Sequence, residues 1–169
     1  IAESQLTQFM PAFQAAFYAG LGKKLGLPDQ SPGGHEFADK TLALLGKHAI
    51  DMTVFFDALT GVAGGESEQP LLALFANPSS GTEWLAQWHT MRADDANTTQ
   101  TMRLANPAVI ARNHRVEEAI VAATTHNNLQ PFLRLIEALQ NPFSCAPENS
   151  ELQTPPLPQE RVTATFCNT

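Results

Sequence analysis

Residues 3–28, ESQLTQFMPAFQAAFYAGLGKKLGLP, contain the longest periodic pattern of the chain and indicate its fold class. Large apolar residues recur here at intervals of three and four, which is the spacing of one helix face. They are Leu6, Phe9, Met10, Phe13, Phe17 and Leu21. Residues 26–28, Gly-Leu-Pro, supply the glycine and proline expected after a helix end. We predict a helix from about Glu3 to Leu25, in which Pro11 either introduces a kink or separates a short first piece.

Further helical patterns follow along the chain, and every strong one has the helical repeat rather than the strand repeat. We predict helices over residues 36–50 and 70–75, a short helix that ends at 106–107, and a last helix that ends at 141–142. The last helix has an apolar stripe of Leu129, Phe132, Leu133, Ile136 and Leu139. Residues 61–69 are rich in glycine and glutamate, so we expect a mobile surface loop there. The predicted fold is therefore all-α.

Three other helices have candidate N-terminal caps. Thr53 is expected to cap a short helix that carries two phenylalanines. Residues 80–83, SGTE, have the S-x-x-E spacing of a capping box and open a helix with Trp84 and Trp88. Asn113 is expected to cap the helix that follows it. These assignments place the starts of the predicted helices.

The composition changes after the last predicted helix. Four prolines favour an extended path: Pro147, Pro155, Pro156 and Pro158. Val162, Ala164 and Phe166 alternate with threonines and could form one edge strand, although the sequence offers no partner strand. We therefore divide the chain into a helical domain over residues 1–142 and an extended proline-rich tail over 143–169, with one domain in all.

The net charge and the number of cysteines bear on the partners of the chain and on its redox environment. The 10 basic and 17 acidic residues give a net charge of −7, and Lys23-Lys24 is the longest basic run. Nucleic acid and anionic membranes are therefore not expected partners. Cys145 and Cys167 are too few for a disulfide framework, which favours a reducing, cytoplasmic location. Because Ile1 is not a methionine, we expect the chain to be a piece of a longer protein.

The sequence contains no recognisable motif for catalysis, cofactor binding or metal binding. Nucleophile elbows, phosphate loops and zinc-ligand spacings are all missing. Of the five histidines, only His114 has a carboxylate, Glu118, four residues further along a predicted helix. We interpret this pair as a solvated helix face. Asp94-Asp95 lacks the glycine and distal glutamate of a calcium loop, so we interpret it as a helix-terminating loop.

Two aromatic rows could in principle line a ligand groove. They are the pair Trp84 and Trp88 and the row Phe9, Phe13 and Phe17. Aromatic residues at helical spacing are more often core residues, so we predict that both rows are buried. From the residues alone, the chain is a helical domain with a cysteine-bearing tail.

Four blocks resemble the C-terminal third of the selenoprotein O family, called YdiU in bacteria. They are DMTVFF at 51–56, NPAVIARN at 106–113, VEEAI at 116–120 and FCNT at 166–169. The most specific element is N-P-x-x-x-x-R-N, followed by the helix with Ala-Ile, a short apolar-stripe helix that ends in Asn-Pro, a proline-rich segment and a cysteine third from the end. The resemblance covers nearly the whole chain.

The resemblance implies that this segment is a helical C-terminal extension of a protein-kinase-like C-lobe. Family members transfer AMP from ATP to protein hydroxyls, and the resemblance places the ATP- and Mg-binding residues upstream of this segment. No cofactor is then expected in this segment, and its expected partners are the upstream kinase-like domain and the protein substrates of the parent enzyme. The rival hypothesis is a stand-alone helical protein-interaction module whose aromatic rows form the partner groove.

Three residues are singled out as structural or redox residues, and none as catalytic. The resemblance places Cys167 at the position of the family's selenocysteine or cysteine, where it is either a redox-linked residue or an inert terminal thiol. Arg112 is expected in a buried or interdomain ion pair, and Asn113 as a helix cap. The role of Cys145 stays open.

Overall fold

The computed structural model describes residues 2–93, 95–144 and 146–161, with side chains from residue 8 onward. Eight α-helices follow one another along this part of the chain: α1 Ala2–Leu25, α2 Gly34–Lys47, α3 Met52–Ala63, α4 Gln69–Leu72, α5 Pro78–Met91, α6 Thr98–Ala105, α7 Asn113–His126 and α8 Gln130–Gln140. Two 3-10 helices, Pro147–Gln153 and Pro158–Glu160, complete it. Within these ranges there is no strand, which confirms the all-α prediction.

The chain divides into two compact units, Ile1–Asn106 and Pro107–Thr169. This division differs from the sequence-based boundary after residue 142. The backbone N–H groups of Ala108 and Val109 donate to the Pro142 carbonyl at 2.7 and 3.0 Å. Leu152, beyond that boundary, is buried with Val109 in the second unit. Residues on both sides of 142 therefore belong to the same unit.

The core of the first unit is built around the tryptophans of α5. Trp84 stacks on Phe37 with ring centroids 5.6 Å apart, and its Nε1 donates to Thr41 Oγ1 at 2.9 Å. Trp88 is fully buried, and its Nε1 donates to the Leu25 carbonyl at 2.8 Å. Each indole N–H thus has a partner inside the core, as buried tryptophans require. The prediction that this pair is a core feature is confirmed.

The first helix is continuous through Pro11 and ends as the sequence indicated. Gly26 adopts a φ of 64°, and the Leu27 N–H donates to the Gly22 carbonyl at 2.9 Å, as in a glycine-terminated helix. A Cβ added to Gly26 would lie 2.5 Å from the Met102 sulfur, so glycine is also required for space.

The apolar stripe of α1 is not a core stripe in this structure. Leu21 is buried, whereas Phe9, Met10, Phe13 and Phe17 are exposed. The prediction that this aromatic row is buried is therefore wrong for the described chain. Periodicity identifies an apolar face, but it does not show which element covers that face.

The second unit has a small core and an exposed apolar face of its own. Val109, Leu135 and Leu152 form the core. The predicted stripe of the last helix lies mostly on the outside. Its exposed members are Leu129, Phe132, Leu133 and Ile136. α8 therefore contacts the core through Leu135, which lies outside the predicted stripe, and through Leu139, which belongs to it.

Several predicted helix starts are shifted. Asp51, not Thr53, is the N-cap of α3, and its carboxylate accepts from the Val54 N–H at 3.0 Å. Asn77 caps α5 by accepting from the Ser79 N–H at 3.1 Å, so the capping box at 80–83 is not used. The loop after α3 is also shorter than predicted because the helix continues to Ala63.

The proline-rich tail is less extended than its composition indicated, since 3-10 helices occupy 147–153 and 158–160. The candidate strand residues Val162, Ala164 and Phe166 lie outside the described residues, as do Cys145 and Cys167. In the described part of the chain, no helix has both the length and the hydropathy of a membrane span.

Candidate functional site

Asn106, the first residue of the N-P-x-x-x-x-R-N block, makes several hydrogen bonds within the first unit. Its side chain is fully buried. Its Nδ2 donates to the Lys24 carbonyl and to Thr60 Oγ1, both at 2.9 Å, and its Oδ1 accepts from Lys24 Nζ at 3.2 Å. Asn106 therefore joins the ends of α1 and α6 to the middle of α3.

Lys24 is the only charged partner of this network among the described contacts. Its Nζ also donates to the Ala105 carbonyl at 2.8 Å and lies 5.2 Å from the centroid of the Phe56 ring. Burial lowers the pKa of Lys24 below its ordinary value. The ammonium thus neutralises carbonyl dipoles at the end of α6, where a cation is favoured. This arrangement is a structural connection between helices.

The other two singled-out residues of the block have different surroundings. Arg112 is 6% exposed and is the N-cap of α7. Its carbonyl accepts from the N–H groups of Arg115 and Val116, both at 3.0 Å. Asn113 is exposed and is the first residue inside the helix, so the prediction that it is the cap is wrong by one position. The ion pair predicted for Arg112 stays a prediction.

Two other arginines hold the first 3-10 helix in the second unit. Arg134 on α8 donates from Nε to Asn149 Oδ1 at 2.7 Å, and its other nitrogens donate to Glu151 and to the Glu148 carbonyl. Arg115 on α7 donates to the Glu151 carbonyl at 3.0 Å. This clamp has no local signal in the sequence, because the partners of the two arginines lie 14 to 36 residues away.

An open depression of about 850 Å³ lies beside α7. Its lining includes His114, His126, Glu117 and Glu118. Glu118 is paired with Arg115 at 2.8 Å rather than with His114, which corrects the expected local partner. Across the described ranges, no group of three or more His, Cys, Asp or Glu side chains is placed to hold a metal ion. The depression therefore has no recognisable ligand set.

The Asp94-Asp95 region is a helix-starting turn where it is described. Asp95 accepts from the Asn97 N–H at 2.7 Å, and the Asp95 carbonyl accepts from the Thr98 N–H at 3.2 Å, immediately before α6. Asp94 lies outside the described residues. The carboxylate of Asp95 thus accepts from one backbone amide of the turn before α6, and the Asp95 carbonyl accepts from another.

The exposed face of α1 is an apolar surface of the first unit. The rings of Phe9 and Phe13 stack with centroids 6.1 Å apart, and those of Phe13 and Phe17 with centroids 5.9 Å apart. Tyr18 ends the row, and its hydroxyl donates to the Asp39 carboxylate at 3.0 Å. The hydrogen bond to Asp39 raises the pKa of Tyr18. This surface suits protein contact rather than catalysis.

Comparison with known proteins identifies the family of this chain. Residues 2–140 match the model of a family described as "Protein adenylyltransferase SelO". The chain is 38% identical over 172 residues to a protein nucleotidyltransferase YdiU of Bradyrhizobium sp. strain BTAi1, covering 99% of this chain and 35% of that protein. A YdiU of Shewanella denitrificans is 38% identical over 181 residues, covering 100% of this chain and 36% of the relative.

A third relative, the YdiU of Rhodopseudomonas palustris strain CGA009, is 38% identical over 174 residues, with 100% of this chain and 35% of the relative covered. This chain thus spans about a third of the length of these relatives and matches their C-terminal part. The chain belongs to the SelO/YdiU family of nucleotidyltransferases.

Proposed function

We propose that this chain is the C-terminal helical part of a protein adenylyltransferase that transfers AMP from ATP to hydroxyl groups of protein Ser, Thr or Tyr. The observation that carries the proposal is the match of the whole chain to nucleotidyltransferases, together with a family model described as an adenylyltransferase. The location we propose for the parent enzyme is the cytoplasm.

The chemistry of the proposed reaction assigns a supporting role to this segment. Transfer from ATP requires groups that cradle the phosphates, a lysine clamp and carboxylates or amides that hold Mg²⁺. Lys24 is engaged with the Ala105 carbonyl and Asn106, and Glu118 with Arg115. We therefore assign ATP and Mg²⁺ to the region that precedes this segment in the relatives, a kinase-like domain by family resemblance.

The structural role rests on how the segment is built. Each unit has its own core, with Trp88 and Phe55 fully buried in the first and Val109 and Leu152 buried in the second. Apolar faces on α1 and α8 stay uncovered by the described residues. A segment with formed cores and free apolar faces is suited to buttress another domain.

One observation favours a second candidate, a stand-alone protein-interaction module. The exposed aromatic row of α1 is the kind of surface that binds an apolar partner groove. The gene sequence distinguishes the two candidates. A kinase-like region encoded upstream of Ile1 supports the adenylyltransferase, and a start codon close to Ile1 supports the module.

The activity is tested on the full-length protein with isotopically labelled ATP and Mg²⁺. We expect transfer of the AMP moiety, but not of the γ-phosphate, to protein.

In parallel, titration calorimetry of the 169-residue chain with Mg-ATP is expected to show no binding. A dissociation constant in the low micromolar range for this chain would refute the assignment of the nucleotide site to the upstream region.

A further inference from the structure

Residues 8–17 of α1 are exposed on every side of the helix. The exposed fractions of the large side chains are 60% for Phe9, 53% for Met10, 51% for Phe13 and 41% for Phe17. The three phenylalanine rings stack in a row along the helix. This row, with Met10, is called the aromatic face below.

This part of α1 has no buried side chain to stabilise it. Most of the stability of helices in proteins comes from tertiary packing of an apolar face. Exposed contiguous apolar patches on soluble proteins mark sites of association. Pro11 inside the helix removes one backbone hydrogen bond and weakens it further. The aromatic face therefore requires a covering surface.

We propose that the aromatic face packs against the catalytic region that precedes this segment in the full-length protein. This inference rests on the proposed function, because it assumes that such a region is present. The relatives are about three times as long as this chain, which matches their C-terminal part. α1 is the first element of the described chain, and the matched relatives continue upstream of it.

The size of the aromatic face favours a tethered partner over a second copy of the chain. A large aromatic or Met side chain has on the order of 200 Å² of surface, so the four exposed fractions amount to about 400 Å². A stable dimer buries about 800 Å² on each partner. A covalently linked partner needs less area, because its effective concentration is on the order of millimolar.

The charge of the helix favours an apolar protein surface over a membrane. Residues 2–22 contain no lysine or arginine, and Glu3 is their only charged residue. Helices that bind anionic membranes carry basic residues beside their apolar face. The partner surface is therefore expected to be an uncharged apolar groove.

Hydrogen exchange of the full-length protein tests the interface directly. The wild type is compared with Phe13→Asp and with the matched control Leu104→Asp, which also replaces an exposed large apolar side chain on a helix of the same unit. We expect the amides of residues 8–17 to exchange at least tenfold faster in Phe13→Asp than in wild type or the control. If Phe13→Asp does not fold, Phe13→Ala serves for the same comparison.

Two results would overturn the proposal. One is equal exchange of residues 8–17 in the wild type and the Phe13 variant. The other is a wild-type dimer that Phe13→Asp converts to a monomer, which would make a second copy the partner. AMP transfer is measured on the same preparations. Protection of residues 8–17 without transfer refutes the proposed activity alone, and transfer without protection refutes the interface alone.

Discussion

Replacing Asn106 by alanine is expected to destabilise the first unit strongly. The substitution removes three hydrogen bonds made by a fully buried amide: two donated by Nδ2, to the Lys24 carbonyl and Thr60 Oγ1, and one accepted from Lys24 Nζ. Thr60 keeps its bond to the Phe56 carbonyl at 2.7 Å, and Lys24 keeps its bond to Ala105. The main penalty is therefore the buried Lys24 carbonyl, which loses this donor.

The magnitude follows from the cost of unsatisfied buried groups. Each such group costs about 1–3 kcal/mol, and a small cavity adds to this, so the free energy of unfolding should fall by about 2–4 kcal/mol. For a unit of this size, 1 kcal/mol corresponds to about 4–8 °C in Tm. We therefore expect the midpoint to fall by about 10 °C or more.

Tryptophan fluorescence during thermal unfolding of the 169-residue chain is the suitable assay. Both tryptophans of the chain, Trp84 and Trp88, lie in the first unit, so the signal reports this unit. The matched control is Asn97→Ala in the same unit, because Asn97 is exposed and its side chain makes no capping hydrogen bond. Surface substitutions of this kind change stability by about 0.5 kcal/mol or less. Equal midpoints for Asn106→Ala and Asn97→Ala would refute the buried-network argument.

Three further substitutions test the helix caps, the arginine clamp and the tail. Asp51→Ala should lower the free energy of unfolding by about 1 kcal/mol, because it removes the cap of α3. Thr53→Ala should lower this free energy less, and a larger effect of Thr53→Ala would contradict the observed cap. Arg134→Ala should speed proteolysis between residues 144 and 161, whereas the exposed Arg161→Ala should leave the cleavage rate unchanged. In the full-length protein, Cys167→Ser should make AMP transfer insensitive to reductant; identical responses of wild type and variant would identify Cys167 as an inert thiol.

The helices were predictable because their signals are local. The spacing of apolar residues is repeated within each helix, and the glycine and proline at 26–28 mark a stop that the structure places at Leu25.

The helix caps were less predictable, since neighbouring residues compete for the same position. Asn77 followed by Pro78 was an available signal for the start of α5, because proline is favoured in the first helical turn. The capping-box spacing at 80–83 does not mark the start of α5, because this helix already begins at Pro78.

The role of Asn106 was not accessible from the sequence. An asparagine before a proline at a helix end is an ordinary stop signal, and the sequence indicates nothing more at this position. Its partners Lys24 and Thr60 lie 82 and 46 residues away, so only the fold brings them together. The same holds for Arg134, whose side chain serves as a clamp although the surrounding helix has an ordinary amphipathic pattern.

The incorrect burial predictions for α1 and α8 have a common physical cause. Both helices carry a row of apolar residues at helical spacing, yet the described chain buries only Leu21 of the α1 stripe, and the buried residue of α8 is Leu135, outside its predicted stripe. Apolar patterning records every surface that is buried in the folded protein, including surfaces covered by parts beyond this chain. The relatives are about three times as long as this chain. An apolar stripe that the described residues leave exposed is therefore expected to contact another domain of the full-length protein. For α1, this mismatch between apolar pattern and burial supports the proposed contact with the upstream region.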